Sequence, residues 1–250
     1  MEERPYALLL KYPGTNADVE TARALDAAGF ESEIVPITVV GDEHLAKAKI
    51  VVISGGFSYG DYVMAGRLAQ LETERRLGES LKKFRDDGGY LLGICNGFQI
   101  LTKLGLLPPG SLIDNTSGRF QCRWVRLENR RPDSAFLAKL PETLEFPIAH
   151  AEGRYVTADG SGAEGYLEKG VAALTYAEDV NGSLCRIAGM TDETGRVFGL
   201  MPHPERFLYA RHHYDPDWAE GDGESGENGE SEWGAGYWFF KSIHERITAA

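Results

Sequence analysis

The apolar positions of this chain gather into short runs, and several of the runs stop abruptly on turn-forming residues. Tyr6-Ala7-Leu8-Leu9-Leu10 stops at Pro13-Gly14-Thr15-Asn16, Ile50-Val51-Val52-Ile53 at Ser54-Gly55-Gly56, and Tyr90-Leu91-Leu92-Gly93-Ile94 at Cys95. Such continuous four- or five-residue runs read as strands buried on both faces. Between them the spacing changes. Val19, Ala22, Leu25 and Ala28 predict a helix over 18–28, with Asn16 or Asp18 as cap and Gly29 as its end. A short strand is expected near Ile34-Val35, a helix over 72–86 and a closing helix over 238–247. Strand-like segments at 120–127, 146–149, 171–176 and 185–190 follow the turn signal Pro108-Pro109-Gly110. Asp192-Glu193-Thr194-Gly195-Arg196 reads as a hairpin turn before a last strand, Val197 to Met201. Strands alternating with helices predict an α/β fold: a mostly parallel central sheet flanked by helices, with additional strands in the C-terminal half. One domain over 1–250 is expected, with its chemistry along the carboxyl edge of the strands.

That edge carries the candidate chemistry. Cys95 sits between a buried strand and a helical pattern, with Gly93 and Gly97 two positions to either side. This is the frame of a nucleophile elbow, where small residues let strand and helix close together beneath an exposed side chain. Unpaired N–H groups at a helix N-terminus favour a thiolate there. A nucleophilic thiol needs a base, and the base needs an orienting group. Pro202-His203-Pro204-Glu205 offers both, because residues two apart on an extended segment share a side and the prolines hold the segment extended. His150-Ala151-Glu152-Gly153 repeats the spacing without the prolines and is the weaker candidate; it is expected to affect substrate affinity rather than acyl transfer. For the tetrahedral oxyanion, the Asn96 N–H follows the nucleophile and a second N–H can come from Gly55-Gly56-Phe57. Gln99 stands one helical turn beyond Cys95 on the same face.

Composition narrows the setting. The 250 residues are 42% hydrophobic and 26% charged, enough to bury one large core. The three cysteines are far apart, without the spacing of a disulfide framework or a cysteine zinc site. A reactive thiol, no signal-like or membrane-length apolar stretch and an acidic N-terminus point to the cytoplasm. A net charge of −12 argues against nucleic acid as a partner. Eight of those negative charges lie between Asp215 and Glu232, where there is no Lys or Arg. That Gly/Glu/Ser-rich stretch reads as a solvated, mobile loop.

Taken together, Gly93-Ile-Cys95-Asn-Gly-Phe-Gln99, Gly55-Gly-Phe-Ser-Tyr-Gly-Asp61 and Met201-Pro-His203-Pro-Glu205-Arg206 resemble the triad-type, class I glutamine amidotransferases. Pro13-Gly-Thr-Asn16, His150-Ala-Glu-Gly153, Asn181-Gly-Ser183 and Ile187-Ala-Gly189 extend the likeness to one branch, the glutaminase subunits of phosphoribosylformylglycinamidine synthase in purine biosynthesis. Ala151 and the acidic stretch depart from that pattern. The resemblance implies a flavodoxin-like sheet, Cys95 as nucleophile, His203 as acid and base, and Glu205 as its orienter. It also implies Gly56 and Asn96 N–H groups as oxyanion donors, Gln99 as a glutamine contact, and no metal or cofactor in this chain. ATP and Mg would belong to a partner synthase subunit, joined by a small bridging subunit. The rival reading is a DJ-1/PfpI-like cysteine hydrolase, which typically carries histidine directly after the cysteine, where this chain has Asn96. A glutaminase serving another pathway is the second alternative.

Overall fold

A computed structural model describes residues 4–158, 163–215 and 232–249. In chain order its elements are β1 (Tyr6–Lys11), α1 (Asp18–Ala28), β2 (Glu31–Pro36), α2 (Asp42–Lys47), β3 (Ile50–Ile53), α3 (Arg67–Asp86), β4 (Tyr90–Ile94), α4 (Asn96–Lys103), β5 (Ser111–Ile113), β6 (Gln121–Asn129), β7 (Thr143–His150), β8 (Arg154–Val156), α5 (Ala163–Glu168), β9 (Leu174–Tyr176), β10 (Ile187–Thr191), β11 (Val197–Leu200) and α6 (Ala235–Thr248). Nine strands form one sheet in the order β2-β1-β3-β4-β11-β10-β9-β6-β7, and β5 pairs with β8 apart from it.

The sheet has two halves of different character. From β2 to β11 neighbouring strands run parallel, and every residue of β3, β4 and β11 is buried, as the uninterrupted apolar runs require. From β11 onward the pairs are antiparallel, and β6 and β7 alternate more exposed with buried positions. The strand-like segments of the C-terminal half therefore extend the same sheet. The Asp192 hairpin joins β10 to β11, its carboxylate accepting the Arg196 and Val197 N–H groups. β4 lies between β3 and β11, so its carboxyl end is flanked by the glycine-rich loop on one side and the His203 segment on the other.

Several expectations are corrected. In α1 the buried side is Asp18, Thr21, Ala24, Leu25 and Ala28, while Val19 is exposed, so the core-facing stripe is rotated from the apolar spacing. Neither Asn16 nor Asp18 caps it. Ala17 holds the N-cap position without a side-chain bond, and Asp18 is instead ion-paired with Lys11. Gly29 does end the helix, in the left-handed conformation at φ 115°. α3 begins at Arg67, five residues before the expected start. Residues 216–231, most of the acidic stretch from Asp215 to Glu232, lie outside the described residues.

Candidate active site

The elbow forms where the glycine frame places it. Cys95 has φ 52° and ψ −105°, a conformation a non-glycine residue keeps only when its surroundings impose it. They do so through backbone packing. A Cβ at position 97 would lie 1.9 Å from the Ile53 carbonyl oxygen, so only glycine lets the start of α4 descend onto β3. The Cys95 N–H donates to the Leu200 carbonyl at 2.7 Å, fixing the turn to β11. The sulfur, nearly buried, lies 3.8 Å from the Ala149 carbonyl of β7.

β11 delivers His203 to the same place. Its N–H donates to the Pro147 carbonyl at 2.8 Å, binding the segment to β7. Nδ1 and Glu205 Oε1 stand 2.6 Å apart, both groups buried. The route to this contact differs from the expected one. His203 is held out of the helical region, at φ −111° and ψ 84°, but Pro204–Arg206 make a turn of 3-10 helix rather than extended chain. The carboxylate therefore curls back under the ring. Gly236, at the start of α6, supports that turn: its N–H donates to the Phe207 carbonyl, and a Cβ there would lie 1.9 Å from the Pro204 carbonyl oxygen.

Cysteine and histidine meet beside Gly55. A Cβ at Gly55 would lie 2.8 Å from His203 Cε1 and 3.4 Å from Cys95 Cβ, so the loop's first glycine leaves room for both. His203 Nε2 is buried without a hydrogen-bond partner among the described residues. Burial alone would keep this ring neutral, but the neighbouring Glu205 and Cys95 side chains outweigh it and push the imidazolium up to about 10. Neither of the N–H groups expected as oxyanion donors, those of Gly56 and Asn96, donates to a protein acceptor among the described residues. Gly56 is pressed against Thr15 in an isolated antiparallel bridge.

The second histidine has different partners. His150 Nδ1 contacts Asn115 Oδ1 at 3.0 Å, and Asn115 Nδ2 donates to the His150 and Arg119 carbonyls. Glu152 turns away, its Oε2 accepting the Ala65 N–H at 3.2 Å. Burial and the neighbouring His203 charge push the His150 imidazolium down to about 4. It is close enough to His203 to feel that ring's charge, yet neutral and without a carboxylate partner. Gln99 lies in the first turn of α4, where Oε1 accepts from Asn96 Nδ2 at 2.9 Å and Nε2 donates to the Glu152 carbonyl at 2.6 Å. Asn115, Gly236 and the Ala149 carbonyl were not legible as site components, since nothing in their local sequence marks a contact made across the fold.

Residues 4–239 match the CobB/CobQ-like glutamine amidotransferase domain family. The chain is 39% identical over 236 residues to the phosphoribosylformylglycinamidine synthase subunit PurQ of Dehalococcoides mccartyi, covering 88% of this chain and 92% of that one. It is 42% identical to the PurQ of Thermotoga maritima, covering 81% and 88%. Among solved structures it superposes on a chain of PurLQS from Thermotoga maritima with TM-score 0.77 and 36% identity, over 98% of this chain and 100% of that one. A glutamine amidotransferase from Thermotoga maritima, at TM-score 0.60 and 15% identity over 100% of both chains, shares the fold. The cysteine hydrolase alternative falls with these matches. The chain belongs to the phosphoribosylformylglycinamidine synthase subunit PurQ family of glutamine amidotransferases.

Proposed function

We propose that this chain is the glutaminase subunit of a phosphoribosylformylglycinamidine synthase, releasing ammonia from glutamine through a Cys95 thioester. The observation that carries the chemistry is the buried His203–Glu205 pair at 2.6 Å beside Cys95. Cys95 thiolate attacks the side-chain amide carbon of glutamine, and the Gly56 and Asn96 N–H groups receive the oxyanion. Once sulfur is bonded to carbon its negative charge is gone. One of the charges that held the proton on His203 is thereby removed, and the ring gives that proton to the departing ammonia. Neutral His203 then takes a proton from water as it attacks the thioester, glutamate leaves, and thiolate and imidazolium are restored. Glu205 holds the ring's orientation and tautomer throughout. Gln99 contacts glutamine with the hydrogen-bonding capacity left over from Asn96 and Glu152.

The ammonia acceptor belongs to a partner. This chain has no Gly-Lys-Ser/Thr phosphate loop, so ATP and Mg act on a synthase subunit that converts formylglycinamide ribonucleotide to formylglycinamidine ribonucleotide, with a small bridging subunit completing the assembly. The setting is the cytoplasm, in keeping with a reactive thiol; among the described residues no helix is long and apolar enough to cross a membrane. Affinity capture with the full chain as bait, followed by mass spectrometry, tests the pathway. Recovery of an ATP-dependent formylglycinamide ribonucleotide synthase is expected, whereas consistent recovery of a guanylate, histidine or pyridoxal pathway enzyme in its place would reassign the acceptor.

A further inference from the structure

Asn96 and Gln99 are held by a ring of hydrogen bonds that the catalytic residues alone do not explain, and it closes on Asp61. Asp61 Oδ1 accepts from Asn96 Nδ2 at 3.3 Å and from the Gly66 N–H at 3.1 Å. Asn96 Nδ2 also donates to Gln99 Oε1, Gln99 Nε2 donates to the Glu152 carbonyl, and Glu152 Oε2 accepts the Ala65 N–H, which returns the path to Gly66. The Ser58 N–H donates to Asn96 Oδ1 at 3.4 Å, so the Asn96 amide is engaged at both ends. Asp61 reaches this position through an unfavourable backbone: Tyr59, Gly60 and Asp61 all have positive φ, at 55°, 71° and 51°. Two of the three are not glycine. Such a conformation persists where the surrounding structure imposes it. Lys103 Nζ, buried without a hydrogen-bond partner among the described residues, lies within electrostatic reach of both Asp61 and Glu152.

We propose that Asp61 is a positioning residue for glutamine hydrolysis, fixing the side chain of Asn96 so that its N–H stays aimed at the oxyanion and Gln99 stays aimed at substrate. This rests on the glutaminase reading and adds to it a residue that acts through others. Both of its bonds land on Oδ1, so a neutral amide oxygen in the same place can make them. The backbone conformation is separable from the side chain, because glycine adopts positive φ freely while lacking the acceptor.

The test uses the full chain and two thiol reagents: azaserine, a glutamine-shaped diazo ester that needs the substrate pocket, and iodoacetamide, which needs only an accessible thiol. For Asp61→Gly the azaserine rate at Cys95 is expected to fall about tenfold while the iodoacetamide rate at Cys95, read on its own peptide, stays within twofold, and Asp61→Asn should recover to within threefold of the parent. General damage to the fold would move both reagents together. Equal azaserine rates in Asp61→Gly and the parent would overturn the inference, as would an Asp61→Asn variant as impaired as Asp61→Gly. If Cys95 of the parent reacts with iodoacetamide but not with azaserine, the glutaminase reading fails and this inference fails with it.

Discussion

The chain contains two His-x-Glu segments at the ends of strands, and they differ in almost every physical respect. At 203–205 the carboxylate curls under the imidazole at 2.6 Å in a 3-10 turn. At 150–152 the histidine ends β7, its Nδ1 facing Asn115, and the carboxylate serves the Ala65 N–H instead. One imidazolium is pushed up to about 10 and the other down to about 4. Identical residues at identical spacing thus give a ring held charged at neutral pH in one place and a ring neutral at that pH in the other. The difference lies in whether a carboxylate remains beside the buried ring after the backbone has turned.

Exchanging the histidines for alanine should break the comparison most visibly. His203→Ala is expected to lower kcat for glutamate release by about a thousandfold or more, whereas His150→Ala should cost under tenfold and act mainly on KM. Glu205→Gln comes next. It should cost about a hundredfold or more, and with its counter-charge gone the alkaline limb of the pH–rate profile should move down from near 10 by about one unit or more. Glu152→Gln keeps an acceptor for Ala65 and should stay within about threefold. Gly236→Ala drives a methyl into the Pro204 carbonyl and should displace the Pro204–Arg206 turn, at about 1–3 kcal/mol in chemical denaturation and a roughly tenfold loss of rate.

Stability against pH separates the two rings as well, and they should contribute with opposite sign. His150 is neutral when folded but titrates normally when unfolded, so its contribution is present above about 6.5 and is lost as pH falls toward 4, at about 1.4 kcal/mol per pH unit. His203 has a raised value, so its contribution is complete below about 6.5 and is lost as pH rises through about 10. Denaturation midpoints of His150→Gln and His203→Gln, followed from acid to alkaline pH, should each flatten one limb. Both variants flattening the same limb would contradict the assignment.

The parallel half of the fold was legible because its buried strands need only unbroken apolar runs, and β3 and β4 do consist of them. Cys95 was legible for a related reason: a residue between Gly93 and Gly97 at a strand's end has few structural alternatives, and the Ile53 carbonyl occupying Gly97's missing side chain shows why. The short β5 and β8 were not, since three-residue strands with mixed burial carry no period to read. The face of α1 was misread because it buries Asp18 and Thr21 and exposes Val19, an inversion made possible by the Lys11 partner and by the Thr21 hydroxyl donating to the Ala17 carbonyl. The Pro-His-Pro-Glu contact was foreseen with the wrong geometry. Proline fixes its own φ and constrains the residue before it, but leaves its ψ free to begin a turn. Asp61 and Asn115 act across 35 residues of sequence to Asn96 and His150, a separation at which local pattern carries no signal.

The most direct test of the account is acid-quenched peptide mass spectrometry of the chain during turnover of isotope-labelled glutamine. A labelled γ-glutamyl group on the peptide containing Cys95, absent in Cys95→Ser together with glutamate release, is the predicted result. Glutamate release that persists in Cys95→Ser, or a glutamyl group carried on a different residue, would contradict it.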